Sequence, residues 1–232
     1  MKRLFDIVFS ILGLIISFPV LLICAILIKL NSKGPVFFRQ ERTGKDGVPF
    51  KIFKFRTMVQ NADAKGPKVT SKNDSRVTSI GSILRWSKLD ELPQLINVLI
   101  GDMSFVGPRP EVPRVVEYYT EEQKRVLSVK PGIIGANQIL ARNESDLYPD
   151  GIEDTESYYI KHILPEKLKV DLEYVEKSSL SYDIKLLFVG ILTTILGAAQ
   201  ARVFLEAKIP AFLLPIDMVL IAYRVRVFAG VL

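Results

Sequence analysis

The chain has almost nothing with which to bind a soft metal or form a disulfide. Its 232 residues include one cysteine, Cys24, and one histidine, His162. Cys24 lies inside an apolar run, and a single thiol makes no intrachain disulfide. A lone histidine cannot supply a His/Cys zinc site, and no Cys–His metal spacing exists. His162 reads instead as a solvated surface side chain. The sequence also lacks a Gly-x-Gly-x-x-Gly fingerprint and a P-loop, which removes the usual glycine-rich cradles for dinucleotides and nucleoside triphosphates. Catalysis, if present, must rest on carboxylates and cations.

Hydrophobic residues make up 49% and charged residues 24%, with a formal net charge of +6. That balance fits one globular domain attached to membrane segments better than a transmembrane bundle. A basic chain suits nucleic acid, or an anionic lipid surface together with phosphate substrates. The apolar N-terminus favours the second. Three segments follow: a membrane element over 1–30, a polar catalytic domain over 31–183, and membrane-associated helices over 184–232.

Ile7 to Leu30 is nearly all apolar. As one helix it is about 36 Å long, enough for a hydrocarbon core of about 30 Å. Two features argue for another path. Pro19 lacks an N–H and crowds the carbonyl of Ile15, so a bend is expected, with Ser17 able to hydrogen-bond a freed carbonyl. Lys2 and Arg3 before the run and Lys29 and Lys33 after it also carry similar charge, so the usual orientation bias is missing. A spanning helix and a hairpin that returns to the same face both remain open on these residues.

Beyond the run, Val36–Phe38 and Phe50–Phe55 read as extended segments joined by the turn-rich Gly44-Lys45-Asp46-Gly47. Asn61 to Arg76 reads as a mobile lysine-rich loop, and Ile80–Arg85 and Leu92–Ile100 as short helices. Thr120-Glu121-Glu122-Gln123 carries a capping pattern that opens a helix to Ser128. Ile184 to Ala199 suits an interfacial helix. The tail after it, with Pro210, Pro215 and Asp217, has no firm assignment.

Asp90-Glu91 precedes Pro93, and proline is tolerated in a first helical turn and costly later, so a helix start is expected near Asp90. Both carboxylates would then meet the positive end of the helix dipole, where phosphate is also favoured. On these residues alone an ordinary helix cap with a dipole-complementing glutamate is the better reading of the pair. Cations in pinned segments bear on that choice. Arg109 is held in Gly107-Pro108-Arg109-Pro110, Lys54 and Arg56 alternate along an extended segment and share a face, and Arg85 lies five residues before Asp90. Arg39 and Arg42 follow the membrane run. Arginine forks and lysine point charges suit diphosphate oxygens. Each cation taken singly is also explained as a solvated side chain. Asp102 reads as a local cap.

Several motifs follow one another in order: Lys2-Arg3-Leu4-Phe5-Asp6, Gly34-Pro35-Val36-Phe37-Phe38-Arg39-Gln40-Glu41-Arg42, Lys54-Phe55-Arg56-Thr57-Met58, Leu89-Asp90-Glu91-Leu92-Pro93-Gln94-Leu95, Asn97-Val98-Leu99, Gly101-Asp102-Met103-Ser104-Phe105-Val106-Gly107-Pro108-Arg109-Pro110 and Pro131-Gly132-Ile133. Together they resemble the bacterial sugar transferase family, the monotopic phosphoglycosyl transferases. The layout is similar to that of the small Campylobacter enzyme that starts N-glycan assembly. The resemblance runs from Lys2 to about Gly135 and resumes at Val170-Asp171-Leu172-Glu173-Tyr174-Val175.

The resemblance implies a mostly helical α+β fold: an N-terminal re-entrant membrane helix broken at Ser17 and Pro19, interfacial amphipathic helices, and a small cytoplasmic catalytic domain with short strands. It implies transfer of a phosphosugar from a UDP-sugar to undecaprenyl phosphate at the cytoplasmic face of the bacterial inner membrane. Asp90 would be the nucleophile, and Asp90 and Glu91 would hold Mg²⁺. Lys54, Arg56, Arg85 and Arg109 would bind phosphate, with Asp171 supporting the substrate. N-acetylated UDP-hexoses are the family-level expectation for the donor, membrane lipids are partners, and a homo-oligomer stays open.

The run Pro131-Gly132-Ile133-Ile134-Gly135-Ala136-Asn137-Gln138 departs from the family pattern, where a threonine and a tryptophan would stand in place of Ile134 and Ala136. That puts substrate contacts there in doubt. Asn143 to Lys167 reads as an insertion. The tail around Ala211–Leu220 faintly resembles a first membrane helix of nucleotide-sugar dehydratases, as in a truncated fusion. Two other classes compete. A silent membrane scaffold has no need of a carboxylate pair ringed by cations. A nucleic-acid binder needs aromatics interleaved with exposed basic residues, which the sequence does not provide.

Overall fold

The computed structural model describes residues 1–62, 74–140, 147–149, 152 and 154–196. The greater part of the lysine-rich loop, part of the expected insertion and the tail beyond 196 lie outside the described residues.

Helix α1 (Lys2–Asn31) is followed by an antiparallel hairpin of β1 (Phe37–Thr43) and β2 (Pro49–Phe55). Helices α2 (Ser79–Ser87) and α3 (Gln94–Ile100) flank a 3-10 turn at Leu89–Glu91. Next come β3 (Ser104–Val106), α4 (Pro113–Val116) and a 3-10 stretch over Gln123–Ser128, then β4 (Gly132–Ile134) and α5 (Ala136–Leu140). Helix α6 (Thr155–Tyr158) widens into a π turn at Tyr159–Ile163, and α7 (Leu164–Lys177) and α8 (Leu180–Leu196) follow. The fold is α+β and mostly helical, with a long apolar N-terminal helix and short strands, as expected.

The break expected at Ser17 and Pro19 does not interrupt the helix. One helix of 30 residues runs through Pro19. Proline removes the single donor to the Ile15 carbonyl, while the Ser17 hydroxyl donates to the Gly13 carbonyl one turn before it at 2.6 Å. The exposed faces of α1 are apolar along its length, the composition and length of a helix that associates with a membrane.

The two ends of α1 are bound to the domain in different ways. Lys2 donates to the Val106 carbonyl at 3.0 Å and the Tyr174 hydroxyl at 3.3 Å, and pairs with Asp183. Arg3 donates to the Val98 and Leu99 carbonyls at 2.6 and 2.8 Å, satisfying orphan acceptors at the end of α3. Buried Asp6 accepts from the Ser104 hydroxyl and, more weakly, from the Phe105 N–H. Lys2 and Arg3 are therefore structural ties, not free orienting charges. Further along, Cys24 and Ile28 pack with Phe55 and Leu84 in one core cluster.

Short strands suffice because side chains and glycines complete their contacts. Asn97, wholly buried in α3, accepts from the Phe53 N–H and donates to the Lys51 carbonyl, both at 2.9 Å. This pairs the open edge of β2 with a side chain in place of a third strand. Asn97 also donates to Asp102 at 3.3 Å, so Asp102 acts locally, as expected. Strands β3 and β4 pair in parallel, and Gly107, just past β3, meets Gly132 of β4 backbone to backbone. A Cβ on Gly132 would overlap the Gly107 nitrogen, so only glycine permits this approach.

The capping pattern at Thr120 is present in both directions. The Thr120 N–H donates to Gln123 Oε1 at 2.9 Å, and the Gln123 N–H donates to Thr120 Oγ1 at 3.2 Å. His162 is exposed, as read. Ile134 packs against Gly190 of α8, and Ala136 is buried with Val106, Tyr174 and Leu186. At the two departures, Ala136 is thus a buried position and Ile134 a half-buried one.

Candidate active site

The site is built where α2 ends. The Thr78 hydroxyl caps this helix by accepting from the Gly81 N–H, while the Thr78 N–H donates to the Thr57 carbonyl. Arg85 in the last turn donates from Nε to Thr57 Oγ1 at 2.8 Å. The chain then reverses at Lys88, which adopts a left-handed φ of 59°. That conformation is uncommon for a residue with a side chain. It delivers Asp90 and Glu91 on a 3-10 turn between two helices, not on the first turn of an α-helix. The expected dipole argument is corrected accordingly: α3 begins at Gln94, after Pro93, and is only seven residues long.

Glu91 is the electrostatic centre. Its Oε1 accepts from Lys54 Nζ at 2.8 Å and from Arg109 Nη2 at 2.9 Å. Burial alone would raise the Glu91 carboxyl, but the charges and hydrogen bonds of Arg109 and Lys54 outweigh it and hold the group well below the usual carboxylate range. Burial pulls the Lys54 ammonium below its ordinary value, with Glu91 opposing the shift. Arg42 also sits in this field, donating to the Pro110 carbonyl at 3.1 Å and lying 3.9 Å from Glu111.

Asp90 behaves in the opposite way. Burial raises its carboxyl above the normal value and the Glu91 charge adds to that, while Lys54, Arg85 and Lys88 pull it back only partly. Its Oδ1 is buried and has no hydrogen-bond partner among the described residues. Two adjacent carboxylates thus have divided environments: one is neutralised by cations, the other is desolvated and open. Such a division marks acid, base and nucleophile assignments in enzymes.

Lys54, Arg85, Glu91 and Arg109 are brought together around Asp90, as the sequence suggested. Arg56 is not. Strand β2 ends at Phe55, so the alternation that would place Arg56 beside Lys54 no longer applies. Its Nη2 donates to the Ser32 carbonyl and hydroxyl at 2.8 and 3.0 Å, binding the end of α1. Asp171 shares a cleft with Arg109. It is buried on α7 and accepts from Asn137 Nδ2 at 2.6 Å. The cleft is small, with room for about one water, and Glu111 and Tyr119 also line it.

Sequence reasoning missed the cluster behind this cleft. Glu111 accepts from Lys167 at 3.1 Å and from the Tyr159 hydroxyl, and Tyr159 also meets Lys167. The Thr43 N–H donates to the Glu111 carbonyl at 2.9 Å. These contacts join β1 and α7 to the segment that carries Arg109. Their residues lie far apart along the chain with no shared period, so no local pattern announces them.

A model of the bacterial sugar transferase family matches residues 1–197. The chain belongs to that family. It is 42% identical over 195 residues to the UDP-glucose:undecaprenyl-phosphate glucose-1-phosphate transferase of Escherichia coli (strain K12), a match covering 82% of this chain and 39% of that protein. It is 37% identical over 199 residues to the UDP-N-acetylgalactosamine-undecaprenyl-phosphate N-acetylgalactosaminephosphotransferase of Aeromonas hydrophila, covering 84% of this chain and 44% of that protein. An uncharacterized sugar transferase of Bacillus subtilis (strain 168) is 38% identical over 187 residues, covering 81% of this chain and 83% of that protein. The matched region therefore spans about two fifths of the length of the first two relatives.

Proposed function

We propose that the chain transfers a phosphosugar from a UDP-sugar to undecaprenyl phosphate, giving undecaprenyl diphosphate sugar and UMP and starting glycoconjugate or polysaccharide assembly. The observation that carries this reading is the unequal carboxylate pair. Glu91 anchors Lys54 and Arg109, while the desolvated Asp90 keeps an oxygen without a partner among the described residues. An Asp90 oxygen attacks the sugar-bearing phosphorus of the donor, the bond from that phosphorus to UMP breaks, and UMP leaves with the electron pair. A phosphate oxygen of the lipid then attacks the same phosphorus and releases the Asp90 carboxylate. Each step exchanges one P–O bond for another, a two-step course of covalent catalysis. Lys54, Arg85 and Arg109 hold phosphate oxygens and stabilise charge as it moves from one bridge to the next.

Mg²⁺ fits this chemistry in part. The orphaned Asp90 Oδ1 suits a hard cation, whereas Glu91 already spends one oxygen on two cations. No group of three or more His, Cys, Asp or Glu occurs among the described residues. The ion would be held by Asp90 and the remaining Glu91 oxygen, with phosphate and water completing its shell. When bound, it would neutralise the diphosphate and the departing UMP.

The membrane element supports a monotopic arrangement within this proposal. Both arms of α1 lie against the same domain: Lys2 to Gly13 on α3 and β3, and Leu21 to Ile28 on Phe55 and Leu84. Between them Ile15, Ile16 and Phe18 are 66, 77 and 62% exposed. A helix whose two ends share one domain and whose middle is bare apolar surface suits dipping into one leaflet and bending at Pro19, where the Ile15 carbonyl lacks its usual donor. Exposed Ile83 and Trp86 on α2 and Ile184, Phe188 and Ile191 on α8 fit lipid contact beside it. The division at residues 30 and 183 and the cytoplasmic face of the inner membrane belong to this reading. Single cysteines at Leu4 and Lys33 should react with an impermeant maleimide from the same membrane face. Labelling from opposite faces contradicts a monotopic helix.

The relatives' names divide between glucose and N-acetylgalactosamine donors. The direct test is therefore a panel of UDP-sugars incubated with detergent-solubilised protein, Mg²⁺ and undecaprenyl phosphate. UMP release and a phosphosugar adduct on the Asp90 peptide are expected. Product formation with Asp90 unmodified throughout refutes the mechanism.

A further inference from the structure

The two substrates of the proposed reaction make different demands, and only the phosphate demand is met by the cations around Glu91. The phosphate of the acceptor lipid must reach a phosphorus carried on Asp90. Its hydrocarbon tail must therefore leave over an apolar surface that begins close to that residue. The Glu91 side of the pair is charged and offers no such exit. Lys54 and Arg109 close round Glu91, with Arg42, Glu111 and Lys167 behind them.

Helix α2 offers one. Its Ile80 and Leu84 turn inward onto Cys24, Ile28 and Phe55. Ile83 and Trp86, three residues apart and so on one face, are 59 and 82% exposed. Trp86 stands four residues before Asp90, and the inner face of α2 packs on the second arm of α1, where Ile23 and Ile26 are also bare. An apolar strip thus joins the neighbourhood of the nucleophile to the lipid-facing helix. Two other exposed apolar side chains make no such link. Phe37 pairs with Phe55 and shares the sheet face opposite to that of Lys54, and Ile100 is at the far end of α3.

The strip ends in charge of the sign that a lipid phosphate needs. Lys88 is exposed, and its charge joins that of Arg85 in pulling the Asp90 carboxyl down. A surface for bulk lipid explains Trp86 but not a lysine held in a left-handed conformation between it and Asp90. That conformation costs free energy in a residue with a side chain, and such strain gathers at functional sites.

We propose that the outer face of α2 is the acceptor subsite, where Ile83 and Trp86 carry the first isoprene units of undecaprenyl phosphate and Lys88 holds its phosphate beside Asp90. The proposal rests on the transferase reading and adds to it the place of the second substrate.

The two half-reactions make it testable. Detergent-solubilised full-length chain is given a UDP-sugar alone, and the burst of UMP and the adduct are measured. Undecaprenyl phosphate is then added in mixed micelles and steady-state kinetics are recorded. Ile83→Ser with Trp86→Ser should raise the KM for undecaprenyl phosphate at least about tenfold, the factor given by about 1.4 kcal/mol of lost apolar contact. The burst and the KM for the UDP-sugar should stay within about twofold of wild type. Lys88→Gln should raise the KM for the lipid as well. An unchanged KM for the lipid in either variant overturns the proposal. So does a double variant whose only defect is weaker sedimentation with vesicles of phosphatidylethanolamine and phosphatidylglycerol, which marks a surface for bulk lipid. Wild-type protein that releases no UMP from any donor sinks the transferase reading, whereas normal wild-type turnover with unresponsive variants sinks only the subsite.

Discussion

Asp90→Asn should separate catalysis from stability. In the folded chain burial and the neighbouring Glu91 charge raise the Asp90 carboxyl, and Oδ1 has no hydrogen-bond partner among the described residues. A carboxyl whose folded pKa is raised binds its proton more tightly when folded. The ionised form therefore destabilises the fold, increasingly so as pH rises above the unfolded value. Asparagine removes the charge without changing the shape. Relief of one unsatisfied charged oxygen corresponds to a gain of about 1 kcal/mol, the low end of such penalties. Turnover should fall by about 10⁴-fold or more, since loss of a covalent nucleophile removes the path itself.

Glu91→Gln provides the control. It breaks ion pairs of 2.8 and 2.9 Å with Lys54 and Arg109, both largely buried. Leaving buried cations without their counter-charge costs about 3 kcal/mol. The two neighbouring carboxylates should therefore respond in opposite directions. Thermal unfolding in detergent measures the stabilities, and UMP release with mass spectrometry of the adduct measures the chemistry. An Asp90→Asn protein that melts below wild type, or turns over within tenfold of it, refutes the reasoning.

Other expectations follow from the same contacts. Arg56→Ala should lower stability by about 2 kcal/mol through the lost Ser32 contacts and leave the KM for the UDP-sugar unchanged, measured by melting and steady-state kinetics. Gly132→Ala should cost about 3 kcal/mol and reduce kcat, because the added methyl must displace the strand-end backbone that leads to Arg109. Burial pushes the Asp171 carboxyl up to about 8, with Lys167 and Asn137 opposing and Glu111 adding to it. Its contribution to stability is thus full below about pH 4 and is lost as pH rises towards 8. Asp171→Asn should flatten the fall in melting temperature across that window, and an unchanged slope would count against a buried, raised carboxyl.

What the sequence disclosed depended on the range of each signal. The Thr120 capping box and the short helices around Ile80 and Leu95 are local and stand as read. Lys54 was legible because strand alternation holds as far as Phe55; Arg56 was misread because the strand ends one residue earlier. Pro19 suggested a bend, and α1 runs through it as one helix, because a proline removes one donor and leaves the rest of the ladder in place. The reversal at Lys88 was hidden because its left-handed conformation falls on a residue type that does not advertise it. The Glu111–Lys167–Tyr159 cluster and the Asp171 cleft are products of tertiary packing, so no spacing in the chain encodes them.

The ties at the head of α1 bear on how a lipid substrate could reach a soluble-looking site. Lys2 touches β3, α7 and α8 at once, through Val106, Tyr174 and Asp183, and Asp6 holds Ser104 on the same strand. Val106 is followed by Gly107-Pro108-Arg109, and Arg109 is one of the two cations that neutralise Glu91. Only a few residues therefore separate the anchor of the membrane helix from the electrostatics of the carboxylate pair. A mutation at Asp6, buried at 2% exposure, should act on the active site without touching it. Removing its carboxylate frees Ser104 and Phe105, loosens β3 and lets Arg109 leave Glu91. Asp6→Ala should accordingly lower kcat and shift the pH profile of turnover while the protein still sediments with membranes. Loss of membrane association with normal kinetics in detergent would show that the head of α1 serves as anchor alone.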